Sequence, residues 1–480
     1  MFVTETERVS QIIAQGARNG LHETEFFARE IVAWMHSPQR REQIDGWRYY
    51  HGDHDILRRK RTALGADGKP MVIDNLPNHH VIDNQYAKMV DQKVDYLLGN
   101  PFSITADNPD YAQMLGQYLN STFARTLKYI AEEALCGGIA WMFVCYDDAG
   151  TLCFRHFPAY EILPFWSDDD HTKLDAACRL YLQEVWDGLT KKYIHKVELY
   201  RADGIYRYVL DGSTLVPDVA LGTYSPYIVM QGDQTQPDVP YAWERFPLVP
   251  FKANKQEIPL IRRVRSLQDG LNLLLSDFQN RMEEDSRNTI LILREYDGEN
   301  LGEFRRNLAA YGAVKVRGEG GVESLAVEVS AQNYQAIVEL FHKALVENAR
   351  GLDAKDDRMS GNPNQMNIQS MYADIDLDAN GMEVEFQAAL DEVLWFIRQD
   401  AKTHGAGDFE QDACKIVFNR DVPVSTSETI QNCQNSVGLL SDETILANHP
   451  FVTDVRAEME RIRRERQQVS GDAWGVEDGS

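Results

Sequence analysis

A chain of 480 residues, 43% hydrophobic and 10% aromatic, can build several packed cores, which excludes an intrinsically disordered protein. Its formal net charge of −25 argues against a protein that grips nucleic acid through a broad basic face, so nucleic acid is either irrelevant or touched without being held. No apolar run approaches the ~18 residues that span a bilayer, and Met1–Arg18 is polar where a secretory signal needs an apolar centre, so no membrane partner is expected.

Taken in chain order, residues 1–60 are predicted to be helical, with Phe26, Phe27, Ile31, Val32 and Met35 on one stripe. A second helix is expected over Asn75–Leu98, stopped by Gly99-Asn100-Pro101, with His79-His80 near its start, and a third over Asp110–Glu133. From Gly138 the period shortens to two. Ile139–Tyr146, Gly150–Pro158, Ala177–Trp186, Lys196–Arg201 and Ile205–Asp211 read as strands of meandering hairpins, and Gly212–Tyr241 reads as loop. Pro247, Pro250 and Pro259 mark an extended passage into a helix over Ser266–Arg287, whose Leu267, Leu271, Leu274, Phe278 and Met282 share a face. A small α/β module follows: a strand at Thr289–Arg294, a helix at Glu299–Ala310 and strands at Ala313–Arg317 and Ser324–Val329. The next helix carries Tyr334, Ile337, Val338, Phe341 and Leu345, so the module sits at the tip of a helical hairpin. Twenty residues of helix reach about 30 Å.

Gly351–Asn367 is then a polar stretch punctuated by Gly and Pro, held between that helix and one carrying Phe386, Leu390, Val393, Leu394 and Ile397. Its backbone groups would lack partners if buried alone, and a long polar loop on rigid helices is a usual seat of function. Ser425–Gln468 reads as a helical C-terminal region and Val469–Ser480 as a disordered tail.

The search for chemistry finds no catalytic constellation and no cofactor motif. The six cysteines have neither CxxC nor finger spacing and read as buried thiols. Gly65–Pro70 lacks Walker A spacing, and Gly318-Glu319-Gly320-Gly321 opens no helix. Asp376-Leu377-Asp378-Ala379-Asn380-Gly381 copies half of an EF-hand loop, but Gln387 stands where the bidentate Glu belongs, so a solvated helix face is expected. His51–Asp55 and Asp168–Asp170 read as turns rather than metal sites. Of two basic clusters, Arg461–Arg466 reads as a salt-bridged helix, and Arg58-Arg59-Lys60-Arg61 is the better candidate for a phosphate or partner contact. Three classes stay in play: a metal-dependent nuclease or other enzyme using the acidic clusters, a soluble scaffold or adaptor, and a structural assembly protein without enzymatic activity.

Several segments, in order, resemble the portal proteins of tailed bacteriophages, the head-to-tail connector family. They are Tyr49-Tyr50-His51-Gly52-Asp53-His54-Asp55-Ile56, Tyr86–Pro101 with Asp91, Gln92, Lys93 and Tyr96, and the strands of Gly138–Trp166 with Pro158 and Glu161–Pro164. Near the end come Phe418–Pro423, Leu440–Leu446 and Pro450–Asp454. The resemblance implies an α+β, multi-domain subunit that assembles into a ring of about twelve copies. Its parts would be a wing (1–255), a stem helix (256–286), a clip (287–329), a second stem helix (330–350), a tunnel loop (351–367), a wing or tunnel helix (368–405) and a crown (406–468). It also implies a virion location at the capsid portal vertex after assembly in the host cytoplasm. The implied partners are double-stranded DNA read without sequence, a terminase motor, a head-completion adaptor, and capsid and scaffolding proteins. The DNA-facing loop residues would be Lys355, Asp356, Asp357, Arg358, Ser360, Asn362, Asn364 and Gln365. Docking at the clip would use Arg294, Glu295, Glu299, Arg305 and Arg306. Pro363-Asn364 departs from the Ser-Gly that relatives often carry there.

Overall fold

The computed structural model describes residues 23–64, 69–72, 76–230, 239–284, 290–296, 316–325, 331–353, 365–420, 426–452, 455 and 458–464. Two N-terminal helices, α1 (Glu23–Met35) and α2 (Pro38–Tyr50), lead to a short hairpin of β1 (Thr62–Leu64) and β2 (Pro70–Val72). Then come α3 (Gln85–Leu98), β3 (Ser103–Ala106), α4 (Pro109–Tyr118) and α5 (Ser121–Gly137). The strands that follow are β4 (Ile139–Tyr146), β5 (Leu152–Pro158), β6 (Ile162–Trp166), β7 (Leu174–Asp187), β8 (Thr190–Arg201), β9 (Gly204–Asp211) and β10 (Thr214–Pro217). Four short ones close the run: β11 (Tyr224–Ser225), β12 (Ile228–Met230), β13 (Val239–Tyr241) and β14 (Leu248–Lys252).

These elements stack in layers. A helical body packs on the sheet β14-β4-β5, and that sheet packs on the sheet running β10-β9-β8-β7-β6, whose far face is covered by α1. β4 is the hinge of this arrangement because both its faces are buried. Ala140, Met142 and Val144 point into the helical core, and Ile139, Trp141 and Phe143 point toward the larger sheet. Strict alternation with apolar residues at every position is what a doubly covered strand requires. Trp141 stacks on Trp166 at 5.6 Å across the sheet interface, and each wholly buried aromatic there contributes about 2–3 kcal/mol of apolar burial. α5 puts Phe123, Leu127, Ile130, Ala131 and Ala134 on one buried stripe. It ends at Gly138, whose φ of 83° and contact with the Glu257 carbonyl leave no room for a side chain.

α6 (Ile261–Glu284) and α7 (Ala331–Ala349) form the helical hairpin, joined by ring contact between Phe278 and Tyr334 at 4.7 Å. Between them β15 (Ile290–Tyr296) pairs antiparallel with β16 (Val316–Leu325). The chain then runs through α8 (Gln365–Thr403), β17 (Cys414–Val417), α9 (Thr426–Asn435) and α10 (Asp442–Ala447).

Several sequence expectations are corrected. The helix expected from Asn75 starts only at Gln85, capped by Asn84, and His79-His80 lie in an extended segment before it. The cause is α6. Its buried polar residues Asn280, Ser276, Asn272 and Gln268 accept the backbone N–H groups of His79 (2.7 Å), Val81 (2.9 Å), Asp83 (3.1 Å) and Tyr86 (3.0 Å). For His79, Val81 and Asp83 one acceptor per helical turn matches alternate residues of an extended chain, because four helical residues rise about 6 Å and two strand residues about 6.6 Å; Tyr86, already in the first turn of α3, takes the fourth acceptor. The expected apolar face of α6 holds at Leu271, which is completely buried in the helical core, and at Leu267, which packs against it, but not at Met282, which is 58% exposed; beside it Gln268, Asn272 and Ser276 are completely buried.

Asp110–Glu133 is two helices, because the Asn120 side chain accepts from Thr122 and Phe123 and starts α5 afresh. Gly212–Tyr241, expected as loop, contributes β10 to β13. Gly318–Gly321 lies inside one continuous strand, β16, rather than between two. The expected helix Glu299–Ala310 and the tail 469–480 lie outside the described residues. β17 pairs with β3, and Phe409, Ile416 and Phe418 are buried in the helical body. Arg461–Glu458 (2.8 Å) and Arg464–Glu460 (3.2 Å) are the expected intrahelical pairs.

Candidate functional site

The polar loop leaves α7 through a tight C-terminal motif. Arg350 adopts the left-handed conformation with φ 53°, its N–H donates to Glu347 O (3.1 Å), and the Gly351 N–H reaches back to Val346 O (2.9 Å). These two bonds satisfy carbonyls that a helix end leaves open. The backbone at Gly351 passes close to α3, so that a Cβ there would lie 2.4 Å from Met89 Sδ and Met89 would have to shift.

That close approach lets α3 grip the loop entry. The Gln92 side-chain amide donates to Leu352 O (2.9 Å) and accepts from Leu352 N–H (2.7 Å). Lys93 Nζ donates to Arg350 O (3.1 Å) and pairs with Asp378 Oδ2 (2.7 Å). Asp378 Oδ1 also faces Arg263 (3.4 Å) and Arg350 (3.3 Å). The loop exit is held by the same helix. Tyr96 OH donates to Asp376 Oδ1 (2.5 Å), and Leu352 and Tyr96 pack on a small cluster of Ile368, Met371, Tyr372 and Ile375. Arg420, arriving after β17, pairs with Glu383 and donates to Asn380 Oδ1 (2.6 Å).

The electrostatics follow burial. Lys93 is nearly enclosed, so desolvation lowers its pKa and Asp378 pulls it back up. Burial alone would raise the Asp378 carboxyl, but Lys93 and Arg263 outweigh it and hold the carboxyl below its ordinary value. The chain on either side of residues 354–364 therefore rests on a charge-compensated base.

The expected loop residues Lys355, Asp356, Asp357, Arg358, Ser360, Asn362 and Asn364 lie outside the described residues, and Gln365 is the first residue of α8. Of the clip residues, Arg294 and Glu295 lie on β15, while Glu299, Arg305 and Arg306 lie outside the described residues. What sequence reasoning missed is the clamp itself. Gln92, Lys93 and Tyr96 stood in the most recognisable segment of the resemblance, and Asp376, Asp378 and Asn380 stood in the EF-hand look-alike. The segment Asp376–Gly381 is helical as expected, with Leu377, Asn380 and Gly381 exposed, but Asp376 and Asp378 are the partners of Tyr96 and Lys93. The signal was available as two conspicuous polar segments without partners of their own.

The other polar clusters are structural. His54 is completely buried between Tyr49 O (3.0 Å) and Asn272 (2.8 Å). Asp53 and Asp55 pair with Arg48, Arg58 and Arg265. Asp168 caps its own turn through the Thr172 and Lys173 N–H groups, each at 2.9 Å.

Among the described residues the fold is α+β, with a strand hairpin carried on two helices and α3 tied to the chain on both sides of residues 354–364. The chain belongs to the phage portal protein family, since residues 33–472 match the family profile described as "Phage portal protein, SPP1 Gp6-like". It is 27% identical over 470 residues to the portal protein of Bacillus phage SPP1, covering 97% of this chain and 91% of that one. It is 24% identical over 452 residues to the portal protein of Clostridium phage phiCD119, covering 90% and 94%. A solved neck of an empty GTA particle, computed with C6 symmetry, aligns at 10% identity with a TM-score of 0.43 over 85% of this chain and 94% of that one.

Proposed function

We propose that the chain is one subunit of a closed ring of about twelve copies at a capsid vertex, through whose channel double-stranded DNA is packaged and ejected. The observation that carries the reading is the clamp. The chain on either side of residues 354–364 is tied to α3, through Leu352 before them and through Asp376 and Asp378 after them, so in a ring each copy would present the same segment from the same base. In this reading α6 and α7 are the stem, the β15–β16 hairpin belongs to the clip, and residues 354–364 face the DNA.

A channel that passes DNA should not bind it tightly, because each phosphate neutralised adds affinity and drag. A net charge of −25 fits that need. Lys355, Arg358, Asn362, Asn364 and Gln365 would supply light contact, without base readout because cargo sequence is arbitrary. The clip residues Arg294, Glu295, Glu299, Arg305 and Arg306 would dock the terminase motor and later a head-completion adaptor, and the wing would meet capsid and scaffolding proteins. The subunit would be a structural part of the virion, assembled in the host cytoplasm.

The test is to shorten Ser360–Asn364 and measure DNA packaging. Intact assemblies that no longer package support the assignment, and normal packaging removes the loop's role.

A further inference from the structure

We propose that the segment Arg59–Arg61 and the outer half of α6 form a binding site for a phosphoryl oxyanion. An open cleft of about 340 Å³ is lined by Arg59, Lys60, Arg61, Asp277, Asn280 and Arg281. Four cations face one carboxylate there, in a chain whose overall charge is −25. Asp277 is occupied by Arg59 (2.9 Å), and Arg61 Nη1 donates to Pro77 O (2.8 Å). Lys60 and Arg281 are exposed and have no carboxylate partner among the described residues.

The second observation is Asn280. Its side chain is 1% exposed. Oδ1 accepts the His79 N–H at 2.7 Å, which fixes the amide's orientation and leaves Nδ2 as the group without a hydrogen-bond partner. A buried amide donor without an acceptor is costly, and its natural complement is an anionic oxygen. Guanidinium forks beside it match the geometry of phosphate, and the lysine adds a point charge. The rest of the polar spine of α6 is consumed by the extended segment, and Asn280 is the member of it that lines the cleft. The oxyanion could be a free phosphate or a phosphate of duplex DNA, and the shared chemistry is the phosphoryl oxygen.

The experiment uses the full chain and two variants. Asn280→Asp keeps the acceptor for His79 and replaces the free donor by an anion. Lys60→Gln with Arg281→Gln removes two exposed cations that no structural contact needs. In the first arm the melting midpoint is followed against inorganic phosphate, with acetate at equal ionic strength as the reference. A saturable rise in the wild type that both variants lose identifies a small-oxyanion site. In the second arm, binding of duplex DNA is followed against salt. A log–log slope that falls by about 1–2 in the double variant, at about 0.9 per phosphate contact, identifies the DNA backbone as the source. Wild type and both variants behaving alike in both arms overturns the proposal.

Discussion

The two ends of the helical hairpin solve the polar-group problem in opposite ways. At the body end, the Leu352 backbone, Lys93 and Asp378 find partners inside the chain, from α3, α6, α7 and α8. At the far end, β15 pairs with β16 and with no other strand among the described residues. A two-stranded hairpin alone is marginal in water. The difference teaches that the base is specified by contacts within its own chain, whereas at the tip the described residues show a single strand pair, the part to which the proposed function assigns a partner.

The largest expected effect breaks the base. Asp378→Ala leaves Lys93 buried without its carboxylate and should lower stability by about 3 kcal/mol, seen as a shift of the denaturant midpoint. Gln92→Ala leaves the Leu352 N–H and carbonyl unpaired and should cost about 1–2 kcal/mol, with faster amide exchange at Leu352 as the local signature.

A smaller, pH-dependent effect is expected at the neighbouring ion cluster. Burial pushes the Asp55 carboxyl up, but Arg48 and Arg265 outweigh it and hold its pKa down at about 2, against an ordinary 3.8. A carboxyl depressed on folding adds stability above its unfolded pKa and loses it as pH falls through the folded one. Asp55→Asn should therefore destabilise at pH 7, and the difference from wild type should vanish between pH 3.8 and 2. The smallest effect belongs to the tip. Reversing charge at Arg294 or Glu295 should change the stability of the isolated chain by no more than about 0.5 kcal/mol, while weakening partner docking in a pull-down with the motor. A large loss of stability there would erase the contrast between the two ends.

The sequence carried the layered core well. Ile139–Tyr146 was legible to the residue because alternation over a doubly buried strand leaves no other reading. The stripe of α1 was equally clear. The polar interior was not. Gln268, Asn272, Ser276 and Asn280 look like the solvent face of α6, since periodicity counts apolar residues and these four are buried against backbone. For the same reason Asn78–Asp83 read as helix, although its N–H groups belong to another element. The loop-base clamp was half visible, as two polar segments far apart in the chain. Only the fold brings Lys93 and Asp378 together.

The central claim is a ring whose channel is lined by loops springing from that base, and imaging the purified full-length chain by cryo-electron microscopy tests it most directly. The account predicts closed rings with residues 354–364 of every copy at the wall of the central hole. Monomers or dimers, or rings with that loop on the outer rim, would contradict it.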